Sequence, residues 1–187
     1  MADQLYLSYW LKGFSRETML RNLDGILRKF PLLPRNPSNT VMRVHAISLT
    51  EPTLLERDFT DPIQISVLIA AAREFLSADV AFQIDTWWGL WQFEKDWTLK
   101  PARVTIGCYG PEFEDSEGNL RIDLGPDLHY LPDPEIAGSA YYAESNIKSL
   151  LQLVQSLDRA LPVEHRALWT ESGDNFAEKI GAIVPVN

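Results

Sequence analysis

Four of the chain's six tryptophans fall in one stretch, "DTWWGLWQFEKDW" at residues 85–97. An indole combines a large apolar area with a hydrogen-bonding N–H, which suits binding surfaces better than bond-making chemistry. Residues for bond-making are sparse. Cys108 is the only cysteine, so neither a disulfide within the chain nor a cysteine-based zinc site can form. It follows Val104 and Ile106 on the apolar alternation of "ARVTIGCYG", and a buried, inert thiol is expected there. His45, His129 and His165 stand on separate segments. "DLHYLPD" offers Asp127, His129 and Asp133 as mixed oxygen and nitrogen ligands, but any proline-broken acidic loop contains such residues, and neither a metal nor another cofactor is expected. No phosphate-cradling glycine loop, nucleophile elbow or paired-histidine zinc motif occurs. The balance lies against an enzyme.

On a strand, Trp87 and Trp88 must point to opposite faces, so one core cannot take both unless the sheet is covered on each side. Gly89 permits a bend or bulge that would redirect Leu90 and Trp91. The rings either close the end of a small sheet under a helix or form an exposed contact patch. Trp87, Trp88, Trp91 and Trp97 are therefore the candidate binding residues, with at least one of the first three outside the core. Tyr6, Trp10, Asp85 and Trp87 share the polar side of two alternating segments. They are candidates to line a ligand pocket, should the chain be an enzyme or a small-ligand binder with its site between sheet and helices.

The elements that must position these residues follow from periodicity. "QLYLSYWL" alternates as a strand, and Ser15 then opens a helix whose apolar residues Met19, Leu23, Ile26, Leu27 and Phe30 run to Pro31. After the proline-rich loop "PLLPRNPSN", "TVMRVHAISL" reads as a second strand. Asp61 and Pro62 are placed to start a helix buried through Ile65, Leu68, Ile69, Ala72 and Leu76. "DVAFQIDTWW", "ARVTIGCYG" and "LRIDLG" read as three further strands, the last two forming a hairpin about the polar "EFEDSEGN". Ile147, Leu150, Leu151, Val154, Leu157 and Leu161 mark a long helix, with Leu150, Leu151, Val154 and Leu157 expected against the sheet, and a short helix is expected over 176–183. The order β-α-β-α-β-β-β-α predicts a single α+β domain: one layer of mostly antiparallel or mixed sheet, about five strands, with helices on one face.

The 187 residues suffice for one self-supporting core. A net charge of −9 is unevenly spread: residues 1–45 hold seven Lys/Arg against three Asp/Glu, whereas residues 111–144 hold one against nine. Glu112, Glu114, Asp115 and Glu117 form the densest acidic group, expected at the surface. So little positive charge argues against a nucleic-acid partner, which needs a basic face to displace counterions. The longest apolar run, "VLIAAA", falls far short of a membrane span, and the opening residues lack the basic, uninterrupted apolar pattern of a secretion signal. A soluble, cytoplasmic protein with no membrane partner is expected.

"LYLSYWLKGFS" before an amphipathic helix, the "WWGLW" stretch, and "VTIGCYG" followed by "LRIDLG" together resemble the small α+β immunity proteins of bacterial polymorphic toxin systems. The resemblance implies a non-enzymatic inhibitor that binds a toxin domain, and the acidic segment suits a basic partner. Self-association through the aromatic residues is the other partner expectation.

Overall fold

The computed structural model describes residues 2–33, 37–114 and 117–183. Alternating apolar residues build its sheet. Seven strands, β1 (Gln4–Leu11), β2 (Thr40–Ala46), β3 (Leu55–Phe59), β4 (Val80–Phe93), β5 (Trp97–Tyr109), β6 (Leu120–Pro126) and β7 (Val163–Thr170), lie in the order β3-β2-β4-β5-β6-β1-β7. Every neighbouring pair is antiparallel. Register carries one apolar row across six of them: Met42 faces Ile84, Ile84 faces Ile106, Ile106 faces Ile122, Ile122 faces Leu7, and Leu7 faces Leu168. All but Leu168 are buried, each contributing about 1.5–3 kcal/mol over its exposed state.

Four helices supply the rest of the core. In α1 (Arg16–Lys29), Met19, Leu23, Ile26 and Leu27 are buried, and the Ser15 amide donates to Thr18 Oγ1 at 2.9 Å to fix the start. In α2 (Ile65–Arg73) the buried stripe is Leu68, Ile69 and Ala72. In α3 (Ser139–Ala160) it is Ile147, Leu150, Leu153 and Leu157. Phe176 and Ile180 anchor α4 (Phe176–Ile183) beside β7.

The structure corrects several expectations. The sheet has seven strands instead of five, and the order becomes β-α-β-β-α-β-β-β-α-β-α. The added strands β3, "LERDF", and β7, "VEHRALWT", are the two edges, where only one neighbour is needed and charge is tolerated. The helix expected from Asp61 and Pro62 begins at Ile65, because Gln64 is still extended and Ile63 packs on the core. Gly89 makes no bulge: β4 and β5 pair without a register shift from Ala81 opposite Tyr109 to Phe93 opposite Trp97. What glycine supplies there is room, since a Cβ would lie 3.3 Å from Leu33 Cδ2. Leu151 is not buried against the sheet. It is 36% exposed, and Val154 is half-buried, because the face centred on Leu150 recurs at Leu153 and Leu157, one helical step of about 100° away from Leu151.

Candidate functional site

The tryptophan stretch covers the end of the first arm of a long hairpin, β4, the closing turn at Glu94, Lys95 and Asp96, and Trp97 at the start of the second arm, β5. Alternation sends Trp88 into the core, 3% exposed and edge-on to Phe30 at 5.7 Å. Trp87 goes to the opposite face, where its Nε1 donates to the Ser38 carbonyl at 3.2 Å. Trp91 and Trp97 meet at the far end of the hairpin on a shared partner, Tyr142, in the first turns of α3. Trp97 stacks on Tyr142 at 4.5 Å and 17°, and Trp91 lies 4.9 Å from it, tilted. Tyr141 stands edge-on to Tyr142 at 5.1 Å, and Phe93 lies 5.4 Å from Trp97. The four candidate tryptophans thus divide. Trp91 and Trp97 share one site, and Trp87 and Trp88 lie elsewhere.

Two devices hold that site. The Trp97 Nε1 donates to the Ala137 carbonyl at 2.8 Å, and the next residue, Gly138, takes the left-handed φ of +79° that turns the chain into α3 beside the indole. At Trp91 the neighbouring strand β2 has ended, since its last pair with β4 in that direction is Val41 with Asp85. The buried side chain of Asn146 takes the missing strand's place: Oδ1 accepts from the Trp91 amide at 2.9 Å, and Nδ2 donates to the Trp91 carbonyl at 3.0 Å and to the His129 carbonyl at 2.8 Å.

Between the hairpin and the segment leading into α3 opens a cleft of about 640 Å³, lined by Trp91, Phe93, Trp97, Leu128, Leu131 and Ile136 among others. Of its lining, Leu128 is 54% and Phe93 41% exposed, and next to it Tyr141, beside Tyr142, is 70% and Leu99, opposite Trp91 on β5, 58% exposed. Clusters of this kind on a surface mark contact sites. His129 also lines the cleft, and burial depresses its pKa, so its ring is neutral near pH 7.

Compared with protein-family models, curated proteins and solved structures, the chain matches none.

The other candidates fall into place as parts of the fold. Asp85 is buried on the sheet face away from the helices and accepts from Arg43, Arg103 and Thr105. Burial alone would raise its pKa, but those three donors together hold it below the ordinary carboxylate value. Asp85 and Trp87 border a hollow of about 220 Å³. Tyr6 stacks on Trp169 at 4.6 Å and Trp10 lies 5.0 Å from His165, on β1 and β7, with β5 and β6 between them and β4. These four residues do not line one pocket, and their face is not the one the helices cover. Asp127 accepts from the Asp3 amide and Asp133 from the Glu135 amide, and among the described residues no three His, Cys, Asp or Glu side chains come together as a metal group. Cys108 is wholly buried and its thiol pKa is pushed far up by desolvation. Glu112, Glu114 and Glu117 are exposed on the β5–β6 connection, pinned by Phe113 in a small cluster with Ala81 and Tyr109. Asp115 lies outside the described residues. No helix among the described residues is long and apolar enough to cross a membrane.

Tyr142 and Asn146 escape sequence reading. They lie 45 and 55 residues from Trp97 and Trp91, and their only local signal is a pair of tyrosines at the start of an otherwise regular helix.

Proposed function

We propose that this chain is a non-catalytic, cytoplasmic protein-binding domain of the immunity or inhibitor kind, which holds a partner protein against the aromatic cleft at the β4–β5 turn. The supporting observation is the cluster of Trp91, Trp97 and Tyr142, half-buried, with exposed Phe93 against Trp97, exposed Tyr141 against Tyr142, and exposed Leu128 on the wall of the same cleft. Aromatic anchors held rigid by packing and surrounded by accessible apolar area are the usual energetic centre of an interface. The resemblance to immunity proteins names the partner class, a toxin domain.

The experiment is to express this chain with the polypeptide encoded beside its gene and to measure their affinity by calorimetry. Phe93 and Tyr141 are exposed enough to truncate without harm to the core. Phe93→Ala with Tyr141→Ala should weaken the complex about tenfold or more, and Trp97→Ala about thirtyfold, corresponding to roughly 2 kcal/mol for an interface anchor. A complex indifferent to all three removes this reading, as does the absence of any complex. A cleft of this volume also falls within the range of small-molecule sites. A metabolite that raises the melting temperature of the unmodified chain but not of Trp97→Ala would favour that second reading. Sedimentation of the chain alone tests self-association through the same surface.

A further inference from the structure

Charge around the cleft is one-sided. Between Pro126 and Glu144 the chain carries Asp127, Asp133, Glu135 and Glu144 and not one lysine or arginine. The hairpin whose Trp91, Phe93 and Trp97 line the opposite wall carries Glu94 and Asp96 in its turn, outside the lining itself. Among the described residues, the nearby cations are Lys100, bound to Glu94 at 2.5 Å, Lys148, bound to Glu144 at 2.7 Å, and Lys95. Asp96 and Glu135 are exposed and, among the described residues, make no ion pair. Asp133 itself lines the cleft beside Trp91 and Trp97.

Indole and phenol rings attract a cation through the negative face of the π system, and the attraction grows where water is excluded. Carboxylates at the rim steer a cation inward and oppose a phosphate or carboxylate. Resting on the protein-binding reading above, we infer that the cleft takes a lysine or arginine side chain from a basic segment of the partner protein. The aliphatic stem lies along Phe93, Leu131 and Ile136. The charged end meets the rings of Trp91 and Trp97, with Asp133 beside them. Asp96 and Glu135 meet the flanking basic residues of the segment. A guanidinium fits this better than an ammonium, because it is planar, less strongly hydrated and stacks on indole faces.

The test uses the full chain with three probes: a synthetic peptide of alternating arginine and glycine, its glutamate counterpart, and methylguanidinium. Binding is read by calorimetry and by tryptophan fluorescence at low and at physiological ionic strength. Binding of the arginine peptide alone, weakened by salt, is the expected result. Asp96→Lys with Glu135→Lys changes only exposed positions, so the fold is kept, and should weaken that peptide about tenfold, since each reversal replaces an attraction with a repulsion. Trp97→Phe, which keeps a stacking ring, should retain more binding than Trp97→Leu. Equal binding of the glutamate peptide, no binding of the arginine peptide, indifference to the charge reversal, or methylguanidinium binding as tightly as the peptide each overturns the inference. The two levels of claim separate in the complex with the neighbouring gene product. If that complex depends on Phe93 and Tyr141 but ignores the charge reversal, the protein-binding reading stands and the basic segment falls.

Discussion

Asn146 holds the Trp91 backbone by both of its polar groups, accepting from the amide at 2.9 Å and donating to the carbonyl at 3.0 Å. A side chain of α3 thereby completes the hydrogen bonding of β4 beyond the end of β2, and ties helix, hairpin and the His129 segment into one unit. Asn146→Ala would leave the Trp91 amide and carbonyl and the His129 carbonyl without these partners in a part-buried setting, where each such group costs about 1 kcal/mol or more. The expected loss is about 3 kcal/mol or more in urea unfolding. A loss below about 1 kcal/mol would show that the three bonds contribute little. Asn146→Asp should fail to rescue, because a carboxylate cannot donate to the Trp91 or His129 carbonyl.

Leu150 and Leu151 are neighbours in sequence with opposite fates, the first wholly buried and the second 36% exposed. Leu150→Ala should cost about 2–5 kcal/mol, as for other enclosed leucines. Leu151→Ala should cost about 1 kcal/mol or less, since a half-solvated site leaves no sealed cavity. Equal losses in chemical denaturation would mean that α3 turns Leu150 and Leu151 equally toward the core.

The extent to which the fold was legible follows the same division. Strands that bury one face, such as the one carrying Phe82, Ile84 and Trp88, announce themselves by alternation. Edge strands do not. Glu56, Arg57 and Asp58 of β3 are all exposed, as are Glu164, His165 and Arg166 of β7, so neither carries a period of two in hydrophobicity. The candidate site was half legible. Composition marks Trp91 and Trp97 as unusual, but no local pattern states that Tyr142 comes between them, because that contact is made by α3 packing onto the end of a hairpin. The side-chain substitution of a strand by Asn146 is likewise invisible until β2 is seen to stop short.

Asp85 ties the stability of the sheet to acid. Its carboxyl is buried yet held below the ordinary value of 3.8 by Thr105, Arg43 and Arg103. A depressed folded pKa contributes stability that is fully present above the unfolded value and drains away as pH falls through the folded one. Urea midpoints should therefore hold from neutrality to about pH 5 at this group and decline below about pH 4. In Asp85→Asn the midpoint should be lower at pH 7 and its decline in acid shallower. An unchanged acid slope in the variant would assign the decline to other carboxylates.

Cys108 should be silent to a thiol reagent in the native protein, because it is wholly buried and desolvation raises its pKa, so almost no thiolate is present. Labelling should proceed at the rate at which the sheet opens and accelerate in urea alongside the loss of tryptophan signal. Fast labelling without denaturant would place the thiol in a mobile or accessible part of β5.

Of the seven strands of the sheet, β1 is made first, yet both of its neighbours come late in the chain. Its neighbours are β6 and β7, and the bonds that fix it span 124 residues from Asp3 to Asp127 and 161 from Ser8 to Trp169. Contacts between such distant parts of a chain carry a loop-closure cost and belong to slowly folding topologies. During translation Leu5, Leu7, Tyr9 and Leu11 must leave the ribosome long before the strands that cover them exist. Until β6 has emerged, the nascent chain displays an apolar strand with both edges free, and one edge stays free until β7 follows, a form suited to chaperone capture or to pairing with another growing copy.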